Sequence, residues 1–204
     1  MGSCASFCRL QYTVPTPWAM ERMHPAYTWA GTVLLGRVVW LHDGDTATVA
    51  VRERDLMKSR PICLPCIALN PRDEVVFLQV RAHGIDTWEI APHKSGRTPD
   101  SLRLEREYAE KATQYARTAF LGQWVWLAIV GWDKFGSRIV GDMVRVSTWK
   151  AVLFRRPAAA SVVLADPNRW SALMLDQGHA LPYDGKHRKL SFDTWYADNA
   201  RHRR

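Results

Sequence analysis

Two polar knots in the first half of the chain carry the residue types that can grip a cation and a phosphate together. The first, Leu41-His42-Asp43-Gly44-Asp45-Thr46, lies between an apolar run over 33–41 and the short run Thr48-Val49-Ala50-Val51. The second, Arg81-Ala82-His83-Gly84-Ile85-Asp86-Thr87-Trp88-Glu89, follows Val75-Val76-Phe77-Leu78-Gln79-Val80. Each falls where a strand is expected to end, and the rim of a rigid scaffold can hold acids close together without burying them uncompensated. Three or four carboxylates suit a hard cation, and the planar fork of arginine suits the anion that the cation activates. Each piece also has a plainer reading. Asp43 and Asp45 can cap a tight turn, Asp86-Thr87 can do the same, and Arg81 can be a solvated strand end. Arg138, further along, can simply pair with Asp133 or Asp142.

Local sequence patterns outline the scaffold around these residues. Branched apolar residues over 33–51 predict two strands, or one bent ribbon, around Asp43-Gly44-Asp45. Charges with Pro61, Pro65 and Pro71 mark 52–73 as an extended insertion. A strand is expected over 75–81, then a loop over 93–100 that can lie above the site. A helix beginning near Ser101 or Leu102 carries Leu104, Tyr108, Ala112, Tyr115, Ala116, Ala119 and Phe120 at three- and four-residue spacing and ends at Gly122. Strands at 125–130 and 139–146 form a hairpin across Asp133-Lys134-Phe135-Gly136. Residues 154–166 read either as a surface excursion or, at Val162-Val163-Leu164, as a short strand, and 170–177 as a helix stopped by Gly178. Few helices and five short strands predict a mainly β fold with packed helices. A strongly bent antiparallel barrel of the OB type is the commonest such solution, with a sandwich as the alternative.

Composition narrows the class without choosing a substrate. At 204 residues, with 47% hydrophobic and 24% charged residues, the chain supports one sizeable core and is not a disordered polymer. Its formal charge of +8 points to nucleic acid, anionic lipid or another phosphate-bearing partner. Ten tryptophans are a heavy load; some belong in the core and others on a binding face. The cysteines pair as Cys4 with Cys8 and Cys63 with Cys66, which is not a disulfide scaffold, and neither a secretory apolar stretch nor a membrane-length run is present, so a reducing compartment is expected. Cys63-Leu64-Pro65-Cys66 reads as structural thiols, as half a metal site completed by a histidine, or as a redox pair. Met1-Gly2-Ser3-Cys4-Ala5-Ser6 fits N-myristoylation of Gly2, although Gly-Ser after Met also occurs in expression leaders. Stable anchoring would need a second acyl chain, on Cys4, with Cys8 as a further candidate. The protein is then expected at the cytoplasmic face of a membrane if Gly2 and Cys4 are acylated and in the cytoplasm otherwise, as a monomer.

Taken in order, Asp43-Gly44-Asp45-Thr46, Arg81 with Asp86-Thr87-Trp88-Glu89, Asp133-Lys134-Phe135-Gly136 with Arg138, and Gly178-His179-Ala180-Leu181-Pro182-Tyr183 resemble the staphylococcal nuclease-like (thermonuclease) family, with Glu110-Lys111-Ala112 similar to its first helix. The resemblance covers roughly 33–185 and implies an OB-fold five-stranded barrel in a domain at 28–185; Pro15, Pro17 and Pro25 mark an extended linker within 1–27, and 186–204 is a basic tail, either anchored through Phe192, Trp195 and Tyr196 or a free arm. The resemblance also implies two insertions, at 52–73 and 145–167. It further implies a calcium-dependent nuclease that hydrolyses phosphodiester bonds of DNA or RNA with little sequence preference. Asp45 and Asp86 would be side-chain calcium ligands, Thr87 a backbone carbonyl ligand, and Asp43 a nearby carboxylate that shapes the field. Arg81 and Arg138 would clamp phosphate, Phe135 and Tyr183 would lie beside the nucleotide, and Glu89 would act on the attacking water. A carboxylate beside a bound ion is a weak base, so positioning of water is weighted above proton abstraction.

Four features depart from the family pattern, one of them the pair of inserts at 52–73 and 145–167, which the minimal family enzyme lacks. Trp88 stands where a proline is common, Ser137 is inserted ahead of Arg138, and Phe135 lacks a tyrosine hydroxyl. A one-residue shift in a strand turns a side chain to the other face unless a bulge absorbs it. The alternative function is therefore a catalytically weak or inactive nuclease-like domain that binds nucleic acid or a protein partner.

Overall fold

The computed structural model describes residues 30–52, 75–91, 97–133, 138–146, 159–185 and 190–202. Strands β1 (Val33–Leu41), β2 (Thr46–Arg52), β3 (Val75–Ala82), β5 (Trp124–Trp132) and β6 (Ile139–Val146) close into a barrel in the order β1-β2-β3-β6-β5. Pairing is antiparallel throughout except where β3 meets β6, a short parallel contact from Val80 opposite Ile139 to Ala82 opposite Gly141. The chain is thus a closed five-stranded barrel of OB-fold type with packed helices, and the sandwich alternative falls away.

β1 shows why its sequence is apolar almost without interruption. Leu34, Val38 and Leu41 enter the barrel core with Val49, Leu78, Val80, Leu127, Ile129 and Met143. Val33 and Leu35 instead join an outer cluster with Trp126, Ala128 and Val146. A strand covered on both faces loses the apolar-polar alternation of a half-exposed one. The outer cover is α2 (Ala160–Leu164), which contributes Ala160 and Val163. The strand expected at Val162-Val163-Leu164 is therefore a helical turn, in which residues three apart share the buried face.

Helix α1 (Pro99–Phe120) starts earlier than its apolar spacing suggests. The Thr98 hydroxyl accepts the Ser101 N–H, and Pro99 occupies the first turn, where its missing donor costs nothing. Ala112, Ala116 and Phe120 carry the helix into the barrel core, and α3 (Trp170–Asp176) adds Trp170 and Met174. Two elements too short for any periodic signal, β4 (Ile85–Asp86) and β7 (Leu181–Pro182), pair as a separate ribbon. Helix α4 (Phe192–His202) lies within the basic C-terminal stretch and packs on the body through Phe192 and Trp195. The expectations for Gly2, Cys4, Cys8, Cys63, Cys66, Phe135 and Ser137, for 53–74 and for 92–96 lie outside the described residues. No helix among the described residues is long and apolar enough to cross a membrane.

Candidate nucleic-acid interface

The two knots meet because of strand register. β2 pairs with β3 so that Thr46 lies opposite Arg81, which sets the Arg81 guanidinium beside the preceding residue, Asp45. The first knot is a tight β1–β2 turn, in which the His42 N–H donates to the Thr46 carbonyl at 2.9 Å and the Asp45 N–H to Asp43 Oδ1 at 3.1 Å. Asp45 then binds the second knot twice. Its carbonyl accepts the Ala82 N–H at 2.8 Å and its Oδ2 accepts the Thr87 N–H at 3.2 Å, while Oδ1 accepts the Thr46 hydroxyl. Arg81 Nη2 lies 3.4 Å from Asp45 Oδ2 and 2.6 Å from Asp86 Oδ1. The two carboxylate oxygens cannot be farther apart than those two legs laid end to end. Asp43, Asp45, Asp86, Thr87 and Arg81 are therefore one constellation, and Glu89 is exposed at its edge, close enough for its charge to act on Arg81.

Gly44 makes this convergence possible. Its backbone is not in the left-handed region, so conformational freedom is not the requirement. The requirement is room: a Cβ at this position would meet Thr87 Cγ2 at 2.9 Å and Ala112 Cβ and Met174 Cε at 3.1 Å. The turn is thus pressed onto α1, α3 and the Thr87 loop with no space for a methyl group.

The charges in the knot are only partly balanced. Asp45 is 4% exposed. Burial, reinforced by the neighbouring Asp43 carboxylate, pushes its carboxyl from an ordinary 3.8 up to about 6, against the pull of Arg81. Burial also works against the charge on Arg81, but Asp45, Asp86, Asp43 and Glu89 outweigh it and hold the guanidinium above its ordinary value. Oxygen donors of this kind are those a hard cation takes. Even so, among the described residues no group of three or more His, Cys, Asp or Glu side chains is arranged to hold a metal ion. A guanidinium bridges Asp45 and Asp86 instead.

Beside the knot opens a cleft of about 530 Å³ lined by Arg81, His83, Trp132, Asp133, Arg138 and Tyr183, among others. Arg138 enters it from the mouth of the β5–β6 hairpin. Its Nε lies 3.1 Å from Asp133 Oδ2, its N–H donates to Asp133 Oδ1 at 3.4 Å, and its carbonyl accepts the Asp133 N–H at 2.9 Å. The plainer pairing with Asp133 is therefore present, and the side chain still faces the same cleft as Arg81. β5 carries a bulge between Ile129 and Gly131 just ahead of this hairpin end. Tyr183 reaches the cleft through the β4–β7 ribbon, where its N–H donates to the carbonyl of Gly84 at 2.9 Å, and Gly84 turns with φ +77°. Asp142 is not a partner of Arg138. It is fully buried, accepts the N–H groups of Met143 and Ser171 and the Ser171 hydroxyl, and pairs with Arg169 at 3.2 Å, which fixes the start of α3. Burial is the main influence on Asp142 and raises its pKa.

His83 and Trp132 also line the cleft, and the motifs assign neither a role. His83 sat inside the second knot as a visible signal, whereas nothing in the pattern distinguished Trp132 from a core residue. Trp88, the departure from proline, has a structural role. It is 4% exposed and packs against Phe192 and Trp195 of α4, with ring centroids 5.1 and 5.2 Å away, so the C-terminal helix is docked directly behind Thr87 and Glu89. Arg97 strengthens this seam through Glu105 of α1 and Asp193 of α4.

Barrel and site together define a class: a closed OB-type barrel whose architecture is compatible with nucleic-acid binding, with an arginine-lined cleft at its rim. No family model matches the chain, and no curated protein matches it either.

Proposed function

We propose that this chain is a nuclease-like OB-fold domain, spanning 28–185 with the basic stretch 186–204 beyond it, that binds the sugar-phosphate backbone of DNA or RNA. The observation that carries the reading is that Arg81 and Arg138, distant in sequence, line one cleft with Tyr183. Two guanidinium forks match phosphate geometry, an aromatic side chain can lie against a nucleotide, and the net charge of +8 favours a polyanion. The ordered motifs that resemble the staphylococcal nuclease-like family agree with this ligand class. The test is binding of single-stranded DNA and RNA across a salt series. Replacing Arg81 and Arg138 together by alanine should weaken binding and flatten the salt dependence by about 0.7 per lost phosphate contact. Arg138→Ala alone leaves the acid knot intact and should give part of the same loss. Unchanged affinity and slope in both variants would refute the reading.

One observation favours a second, catalytic reading. Asp43, Asp45 and Asp86 converge on one guanidinium, with Arg81 Nη2 3.4 Å from Asp45 Oδ2 and 2.6 Å from Asp86 Oδ1; burial, with Asp43 adding to it, raises the Asp45 carboxyl, and a divalent cation would offset the gathered negative charge. Calcium held by Asp45, Asp86 and the Thr87 carbonyl, with Asp43 nearby, would polarise the phosphodiester and lower the cost of forming the nucleophile. Arg81 would leave its bridging position for the phosphate, Arg138 would take a second phosphate oxygen, and Glu89 would orient the water. Under this reading calcium stimulates cleavage of the bound strand, a chelator abolishes it, and Glu89→Gln lowers turnover by about a hundredfold. Tight binding without calcium-stimulated cleavage leaves the binding reading alone. Acylation at Gly2 and Cys4 would add a membrane tether, tested by the intact mass of protein from its own cell.

A further inference from the structure

Trp40 lies on the wall of the barrel rather than in it. It is 56% exposed, and no other tryptophan among the described residues is as open. A register shift in β1 between Val38 and Trp40 interrupts the alternation just before it. The ring is not left loose. The Arg117 guanidinium, from the last turn of α1, lies 6.0 Å from the ring centroid and is tied by a hydrogen bond from Nη2 to the Leu41 carbonyl at 3.2 Å. The His42 imidazole meets the indole edge-on at 6.5 Å and is held by Thr48 Oγ1 at 2.9 Å. The result is a largely exposed indole with a guanidinium over its ring and an imidazole at its edge, both of them anchored.

Its position adds meaning to that chemistry. Trp40 stands opposite Thr48 on β2 and Thr48 opposite Gln79 on β3, two residues before Arg81, so two strand spacings and two residue steps put the Arg81 backbone about 12 Å away along the barrel wall. A few nucleotides of an extended strand cover that distance. We infer that Trp40, flanked by Arg117 and His42, is a base-stacking platform for an unpaired nucleotide of a single strand whose phosphates occupy the Arg81–Arg138 cleft. The inference rests on the backbone-binding reading above and extends it to the bases. Stacking suits this surface because every base offers a π-face and an arginine at an indole also favours a nearby phosphate. Among the described residues of the barrel strands Trp40 is the only exposed large hydrophobic side chain, which falls short of the contiguous apolar patch of a membrane-inserting face.

The test compares two labelled single strands of about eight nucleotides, one intact and one abasic with the same phosphates, binding to the full chain. Trp40→Ala should weaken binding of the intact strand by about tenfold and leave the abasic strand unchanged, and Trp40→Phe should recover most of the loss. Arg138→Ala should weaken both strands. A Trp40→Ala protein that binds the intact strand like the wild type, or loses both strands equally, overturns the platform while leaving the backbone reading standing. Loss of binding to anionic vesicles in Trp40→Ala, with strand binding intact, overturns it in favour of a membrane surface. Failure of the wild type to bind even the abasic strand overturns the backbone reading and the platform with it.

Discussion

Asp45 gives the sharpest test of the acid knot, because its charge should oppose folding. In the unfolded chain the carboxyl releases its proton near 3.8, and in the folded protein near 6. Between those values the folded state holds the proton more tightly, so stability from this group is complete below about pH 4 and is lost as pH rises to about 6. That rise in pKa corresponds to a penalty on the order of 3 kcal/mol that the folded state carries at neutral pH. Asp45→Asn removes the penalty, since the amide never ionises. Its oxygen can still accept the Thr87 N–H or the Thr46 hydroxyl, and the contact given up with Arg81 is a long one at 3.4 Å. The variant should therefore be more stable than the wild type by about 1–3 kcal/mol near neutral pH, and equal to it or slightly weaker near pH 4. Urea unfolding at both pH values, in a chelating buffer, measures the difference directly. A stability change in Asp45→Asn that is the same at both pH values would refute the account of Asp45 as a buried, under-compensated acid. Millimolar calcium adds a second comparison: under the catalytic reading it stabilises the wild type and not the variant.

Two further perturbations probe how the site is held. Gly44→Ala should cost about 1–3 kcal/mol, because its Cβ meets Thr87, Ala112 and Met174 at 2.9–3.1 Å. Gly131→Ala, where nothing lies within 4 Å, is the matched control, and equal urea midpoints for the two variants would remove the packing argument. Phe192→Ala should release α4 from Trp88 and Tyr108, at a cost of up to about 3 kcal/mol, the low end for burying a phenyl ring. Hydrogen exchange should then show protection lost over 192–202 and kept in β1, β2 and β5. Equal loss throughout the barrel would mean that α4 is part of the folding unit rather than a docked helix.

Local pattern along the chain settled where the chemistry-bearing residues lie and which face of each strand or helix is apolar. The runs before Asp43 and Arg81, the spacing within α1 and the Gly178 stop each follow from local backbone and burial physics, and those local rules act within a few residues. The nearness of the acids was decided elsewhere. Thr46 stands opposite Arg81 only through the β2–β3 register, and the space that Gly44 leaves exists only where the turn meets α1, α3 and Thr87. The same holds for Val163, whose branched run suited a strand until the outer wall of β1, β5 and β6 offered a helical turn a surface to cover. Trp88 read as an oddity in the metal loop and proved to be the socket for a helix more than a hundred residues later. Charge balance followed packing as well: a carboxyl is shifted by how much water surrounds it and by which neighbours share its site, and neither quantity exists before the barrel closes.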